Sequence, residues 1–225
     1  MQQRMRIVFL GDSVTAGFGL AEDQPNYVQL LHAHCRRAVL SAECIASALD
    51  GIDTAYALKR FDRMVTAFDP DWVVVMLGLN DALPAGQRTR TSPTEFQNNL
   101  LGLVDRILAL GARPVLIAPN PRIECQAGDT PQRVDVMPDY LAAVRQAAEQ
   151  VDLPWIDLHV RFCSGDLPEL LPDGVHPSAA GHRLIAETLA GELPCLWPSA
   201  PHERIGPHER IDREAAAEWT LPRVL

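Results

Sequence analysis

The chain has 225 residues, 47% of them hydrophobic, and a formal net charge of −9. That apolar fraction fits one ordinary globular core, and the negative charge argues against nucleic acid as a partner. No run approaches the roughly 20 apolar residues that cross a bilayer, so no membrane span is expected, and the apolar segment 7–10 is too short for a secretory signal. The cysteines are Cys35, Cys44, Cys125, Cys163 and Cys195. Their odd number, without Cys-x-x-Cys spacing, reads as reduced structural thiols in a cytoplasmic protein.

In chain order, short apolar runs alternate with helical patterns. Residues 6–10 read as a buried strand ending at Gly11. Residues 26–40 carry Tyr27, Leu30, Leu31, Cys35, Ala38 and Val39 at helical spacing. A short strand is predicted at 43–47, then a helix over 54–68 stopped by Asp69-Pro70. The continuous β-branched run at 72–77 is of the kind buried on both faces of a sheet. Residues 93–110 form a predicted helix, with Ser92 as N-cap, Pro93 in the first turn and Gly111 beyond its end. A strand at 114–118 leads into a polar, proline-containing loop at 120–134. A helix at 137–150, a strand beginning at 154–156 and a helix at 177–190 complete the pattern.

Strands separated by helices pair in parallel, because each crossover returns the chain to the same end of the sheet. The expected fold is a three-layer α/β/α domain with about five parallel strands. Residues 1–193 are assigned to this domain. Residues 194–225 are read as a C-terminal extension packing on the domain or on a neighbour, which would allow a homo-oligomer. The extension holds a near-exact duplication, Pro201-His202-Glu203-Arg204-Ile205-Gly206 followed by Pro207-His208-Glu209-Arg210-Ile211-Asp212.

In parallel sheets the loops at the carboxyl ends of strands build the site. Four motifs fall there: Gly11-Asp12-Ser13, Asp50-Gly51-Ile52-Asp53-Thr54, Gly78-Leu79-Asn80-Asp81, and Asp173-Gly174-Val175-His176-Pro177 ahead of the last helix. A serine hydroxyl needs a base to become a nucleophile. His176 can supply it, and Asp173 can fix the imidazole tautomer. The backbone N–H groups of Ser13 and Gly51 and the Asn80 amide are candidate donors to an oxyanion. Asp12 and Asp81 read as structural, the latter as a loop organiser.

The four motifs, in this order and spacing over residues 6–191, resemble the blocks of the SGNH, or GDSL, hydrolases. The resemblance implies a flavodoxin-like fold and hydrolysis of small-molecule esters or thioesters with no metal and no cofactor. It also implies Ser13, Asp173 and His176 as catalytic residues, with Ser13, Gly51 and Asn80 as the oxyanion hole. The glycine block departs from the pattern: Ala48-Leu49-Asp50-Gly51 stands where many members carry a nearby Asn or Ser, so Gly51 is placed by position and by Thr54.

Other constellations carry less. Gly17-Phe18-Gly19 lacks the third glycine of a dinucleotide fingerprint, there is no Walker lysine motif, and the Gly-x-Ser-x-Gly elbow is absent. His32-Ala33-His34-Cys35 does not gather ligands on one helix face, and His182 reads as a packing or surface residue. The substrate pocket is expected among segments 81–92, 120–134 and 161–171, where Arg88, Arg90, Arg122 and Phe162 are candidate lining residues. Two readings remain beside ester or thioester hydrolysis. One is an acyltransferase or a deacetylase on a sugar or natural product; the other is a non-catalytic binding protein on the same fold.

Overall fold

The computed structural model describes residues 5–37, 42–83, 91–126 and 132–196, with backbone alone at 125–126, 132–134 and 194–196. The chain runs β1 (Met5–Gly11), α1 (Ser13–Ala16), α2 (Tyr27–Arg37), β2 (Ala42–Ala48), α3 (Thr54–Lys59), α4 (Phe61–Met64) and β3 (Trp72–Met76). It continues with α5 (Pro93–Ala109), β4 (Arg113–Ala118), β5 (Ile123–Gln126), β6 (Gln132–Asp135), α6 (Pro138–Gln150), β7 (Trp155–Asp157), α7 (Leu158–Cys163), α8 (Leu167–Leu170) and α9 (Ala179–Leu196).

Five strands form one parallel sheet in the order β2-β1-β3-β4-β7. All five residues of β3 are buried, as the unbroken apolar run requires of a strand covered on both faces. Helices α2, α7, α8 and α9 pack together on one side, and α3, α5 and α6 on the other. This is the expected three-layer α/β/α architecture.

Register decides where the site can form. Gly11 lies opposite Ala48 on one side and Met76 on the other. Residues 12–13, 49–51 and 77–80 therefore emerge together beyond one edge. The chain leaves β1 for β2 on one side and later returns to β3 on the other, so this edge is a switch point where a crevice opens. Gly11 itself leaves room for Thr15: a Cβ there would stand 2.0 Å from the Thr15 hydroxyl oxygen. That hydroxyl hydrogen-bonds Tyr27 Oη at 2.8 Å, and the Tyr27 N–H donates to His182 Nδ1 at 3.2 Å. His182 is buried as a packing residue, and burial pushes its imidazole down to about 4.

Several boundaries differ from the sequence expectation. The helix over 54–68 is broken into α3, α4 and a 3₁₀ turn at Thr66–Phe68. The break escapes the pattern because Ala57, Phe61, Met64 and Val65 remain in phase and buried. The loop at 120–134 contains a short antiparallel pair, β5 with β6. The last helix starts two residues after Pro177, where the Ser178 hydroxyl accepts the Gly181 N–H at 3.3 Å, and it runs on through Pro194. Phe162 is a core residue rather than a pocket wall, and Arg161 pairs with Glu192 at 3.4 Å. The duplicated hexapeptides, Arg88 and Arg90 lie outside the described residues.

Candidate active site

The site begins where β1 ends. Asp12 caps α1, its Oδ1 accepting the Val14 N–H at 3.1 Å, so Ser13 sits at the start of a one-turn helix. Ser13 Oγ lies 3.1 Å from His176 Nε2, and His176 Nδ1 lies 2.7 Å from Asp173 Oδ2. Ser13, His176 and Asp173 thus form one continuous hydrogen-bonded line across 163 residues of sequence separation. The other carboxylate oxygen, Asp173 Oδ1, accepts the N–H groups of Val175 and His176 at 2.8 and 2.7 Å. Burial raises the Asp173 carboxyl, but those N–H groups and the imidazole outweigh it and hold the group below the usual carboxylate range.

A residue that sequence reasoning did not single out holds this turn. Asn120, buried two residues after β4, donates from Nδ2 to the carbonyls of Pro121 and Val175, each at 2.9 Å. The Ile123 N–H adds a bond to the Gly174 carbonyl at 2.8 Å. The only local signal was a polar residue at the carboxyl end of a buried strand.

Asn80 arrives from β3. Its Nδ2 donates to the Ile52 carbonyl at 2.9 Å and to Asp12 Oδ2 at 3.2 Å. The amide is thereby oriented between the residue beside Gly51 and the cap of α1. Gly51 has φ 72°, a conformation open to glycine and strained for most side chains. Asp81 ties the same loops together: it is buried, accepts the Thr54 N–H on both oxygens at 3.2 Å, and takes the Thr54 hydroxyl at 2.5 Å. The Asn99 amide supports that hydroxyl at 3.0 Å.

The site carries two unusual carboxyls. Burial drives Asp12 up to about 7, against the opposing Val14 N–H, and Asp81 adds to the rise. Burial likewise raises Asp81 to about 6, against the Thr54 hydrogen bonds. Among the described residues no cluster of His, Cys, Asp or Glu has the geometry to hold a metal ion. His32 instead accepts the Cys44 N–H at 3.2 Å. An open cleft of about 450 Å³ between Val160, Arg161, Asp166, Leu170 and Leu184 does not include Ser13.

A parallel α/β/α sheet that presents a hydrogen-bonded Ser-His-Asp line at its switch point defines the class of serine hydrolases. Comparison with known proteins narrows the class. A model of the GDSL-like Lipase/Acylhydrolase family matches residues 9–184, and the chain belongs to that family. It is a carboxylic ester hydrolase.

An acetylxylan esterase from Geobacillus stearothermophilus is 27% identical over 212 residues, covering 85% of this chain and 95% of that protein. The thioesterase 1/protease 1/lysophospholipase L1 of Escherichia coli K12 is 22% identical over 187 residues, covering 83% of this chain and 82% of that one. Among solved structures, a lipase/acylhydrolase from Enterococcus faecalis superposes with a TM-score of 0.72 at 26% identity, over 88% of this chain and 99% of that one.

Proposed function

We propose that the chain hydrolyses a small-molecule ester or thioester through an acyl-enzyme on Ser13. The observation that carries this reading is the unbroken line from Ser13 Oγ through His176 to Asp173. His176 Nε2 takes the hydroxyl proton as Ser13 Oγ bonds to the acyl carbon. The tetrahedral oxyanion accepts from the N–H groups of Ser13 and Gly51 and from Asn80 Nδ2. The last of these draws on the hydrogen now shared with Asp12, the longer of the amide's two bonds. His176 then hands its proton to the leaving alcohol or thiol. Water, deprotonated by the same imidazole, releases the acid and restores Ser13.

Asp12 suits this site. Below about pH 7 the carboxyl is mostly protonated, so it places little negative charge beside the developing oxyanion and gives up the Asn80 hydrogen more readily than a carboxylate would. No step calls for a metal or cofactor. A fluorophosphonate should label Ser13 covalently, with the labelled peptide located by mass spectrometry. Ser13→Ala protein that is folded and still hydrolyses the ester at the wild-type rate would overturn the assignment.

Deacetylation of a carbohydrate is the second reading, favoured by similarity to an acetylxylan esterase over nearly its full length. Acetate release from acetylated xylo-oligosaccharides, compared with release from acyl thioesters, separates the two. A cytoplasmic setting is also a proposal, supported by the reduced thiols of Cys35 and Cys163. Association through residues 194–225 is a further proposal, testable by the mass in solution of full-length and truncated chains.

A further inference from the structure

The segment Gly17-Phe18-Gly19 takes no part in the reaction described above, yet its backbone is tightly specified. Gly17 and Gly19 both occupy the left-handed region, at φ 88° and 86°, where L side chains are disfavoured. Gly17 ends α1, its N–H directed at the carbonyls of Ser13 and Val14 at 3.0 and 3.2 Å. The next N–H, that of Phe18, donates to the same Ser13 carbonyl at 2.9 Å. The residue that carries the nucleophile therefore also fixes the residue that carries this ring.

Phe18 is 51% exposed, so burial alone does not account for its placement. Its ring lies against the His176 imidazole, with centroids 4.5 Å apart and planes inclined by 44°. The other partners of the imidazole act at its edges, Ser13 on Nε2 and Asp173 on Nδ1. Those in-plane bonds do little to resist tilting of the ring about the line that joins them. A second ring packed against the imidazole at this tilt does resist it.

We propose that Phe18 is a positioning residue for His176: its ring steadies the imidazole face and stabilises the imidazolium that forms when Ser13 gives up its proton. An aromatic face attracts a cation more than a neutral ring. The contact therefore strengthens as the proton arrives, and an interaction stronger in the transition state raises turnover rather than affinity. The inference rests on His176 being the base.

Phe18→Leu keeps an apolar side chain and removes the aromatic face. With p-nitrophenyl acetate, kcat should fall about two- to fivefold while KM stays within about twofold. The rate of Ser13 labelling by a fluorophosphonate should fall in parallel, and Phe18→Trp should restore both. Wild-type kcat and labelling in Phe18→Leu would overturn the proposal. So would a change confined to KM, which would make Phe18 a wall of the substrate site. His176→Ala separates this failure from failure of the catalytic reading. If it leaves labelling intact, His176 is not the base. If it abolishes labelling while Phe18→Leu behaves as wild type, only the role of Phe18 falls.

Discussion

Among the described residues, His176 and His159 each stand between a carboxylate and a nucleophilic side chain, and of these two arrangements only that of His176 has the geometry of a Ser-His-Asp line. His176 links Asp173 to Ser13, with one partner on each ring nitrogen. His159 pairs through Nε2 with Asp135, and Cys163 lies one helical turn away on α7. The sulfur is 3.6 Å from Nδ1 and 3.9 Å from Nε2. Being almost equidistant, it cannot lie along the lone pair of either nitrogen. Burial and the carboxylates of Asp135 and Asp157 also push the Cys163 thiol up, away from the thiolate that reacts. Asp135 meanwhile accepts the N–H groups of Arg122 and Met137 at 3.2 and 3.0 Å. That set holds the β5–β6 pair, which in turn reaches the Asp173–His176 turn through Ile123. Residue types alone do not make a triad; the direction of the nucleophile and the donors around it do.

The sharpest way to break this comparison is to remove each nucleophile. Ser13→Ala should lose on the order of 10⁴-fold or more in turnover, whereas Cys163→Ala should stay within about twofold of wild type. Ester hydrolysis by the two purified variants decides it, and a large loss in Cys163→Ala would undo the distinction. The two carboxylates come next. Asp173→Asn should lose about 10²–10⁴-fold in kcat, because an amide no longer favours the working tautomer. Asp135→Asn should keep its activity and lose roughly 1–2 kcal/mol of stability in urea unfolding. A third test concerns the proposed oxyanion donors at the Ser13 site. Asn80→Ala should lower kcat by about 10²–10³-fold, and an unchanged kcat would remove Asn80 from the oxyanion hole.

The smallest effect is a pH dependence. Between the ordinary carboxylate range and about 7, folded Asp12 keeps a proton that the unfolded chain releases. Its contribution to stability therefore falls as pH rises through that window. Asp12→Asn abolishes this titration while leaving an oxygen to cap Val14. Relative to wild type, the variant should gain about 2–3 kcal/mol between pH 5 and pH 8. Parallel urea-unfolding curves at both pH values would show that Asp12 does not titrate as described.

Much of the layout was readable from local chemistry. The run at 72–77 read as a strand buried on both faces, as β3 is, and the four polar motifs each followed a strand or preceded a helix. What stayed hidden depended on partners far along the chain. The β5–β6 pair is held partly by His159 and joined to Gly174, so residues 120–134 read locally as a loop. The break between α3 and α4 left the buried face in phase and so left no trace in the periodicity. Asn120 looked like a loop residue because its partner, the Val175 carbonyl, lies 55 positions away.

By itself the sequence determined the alternation of strands and helices, the parallel sheet and the residue types of a serine hydrolase. It could do so because periodicity, breakers and caps act within a few residues. Tertiary structure alone decided that Ser13, His176 and Asp173 share one line, that Asp12 is buried against Asn80, and that Phe18 lies on the imidazole. Each of these depends on strand register, through the alignment of Gly11 with Ala48 and Met76, and register is a property of the whole packed sheet.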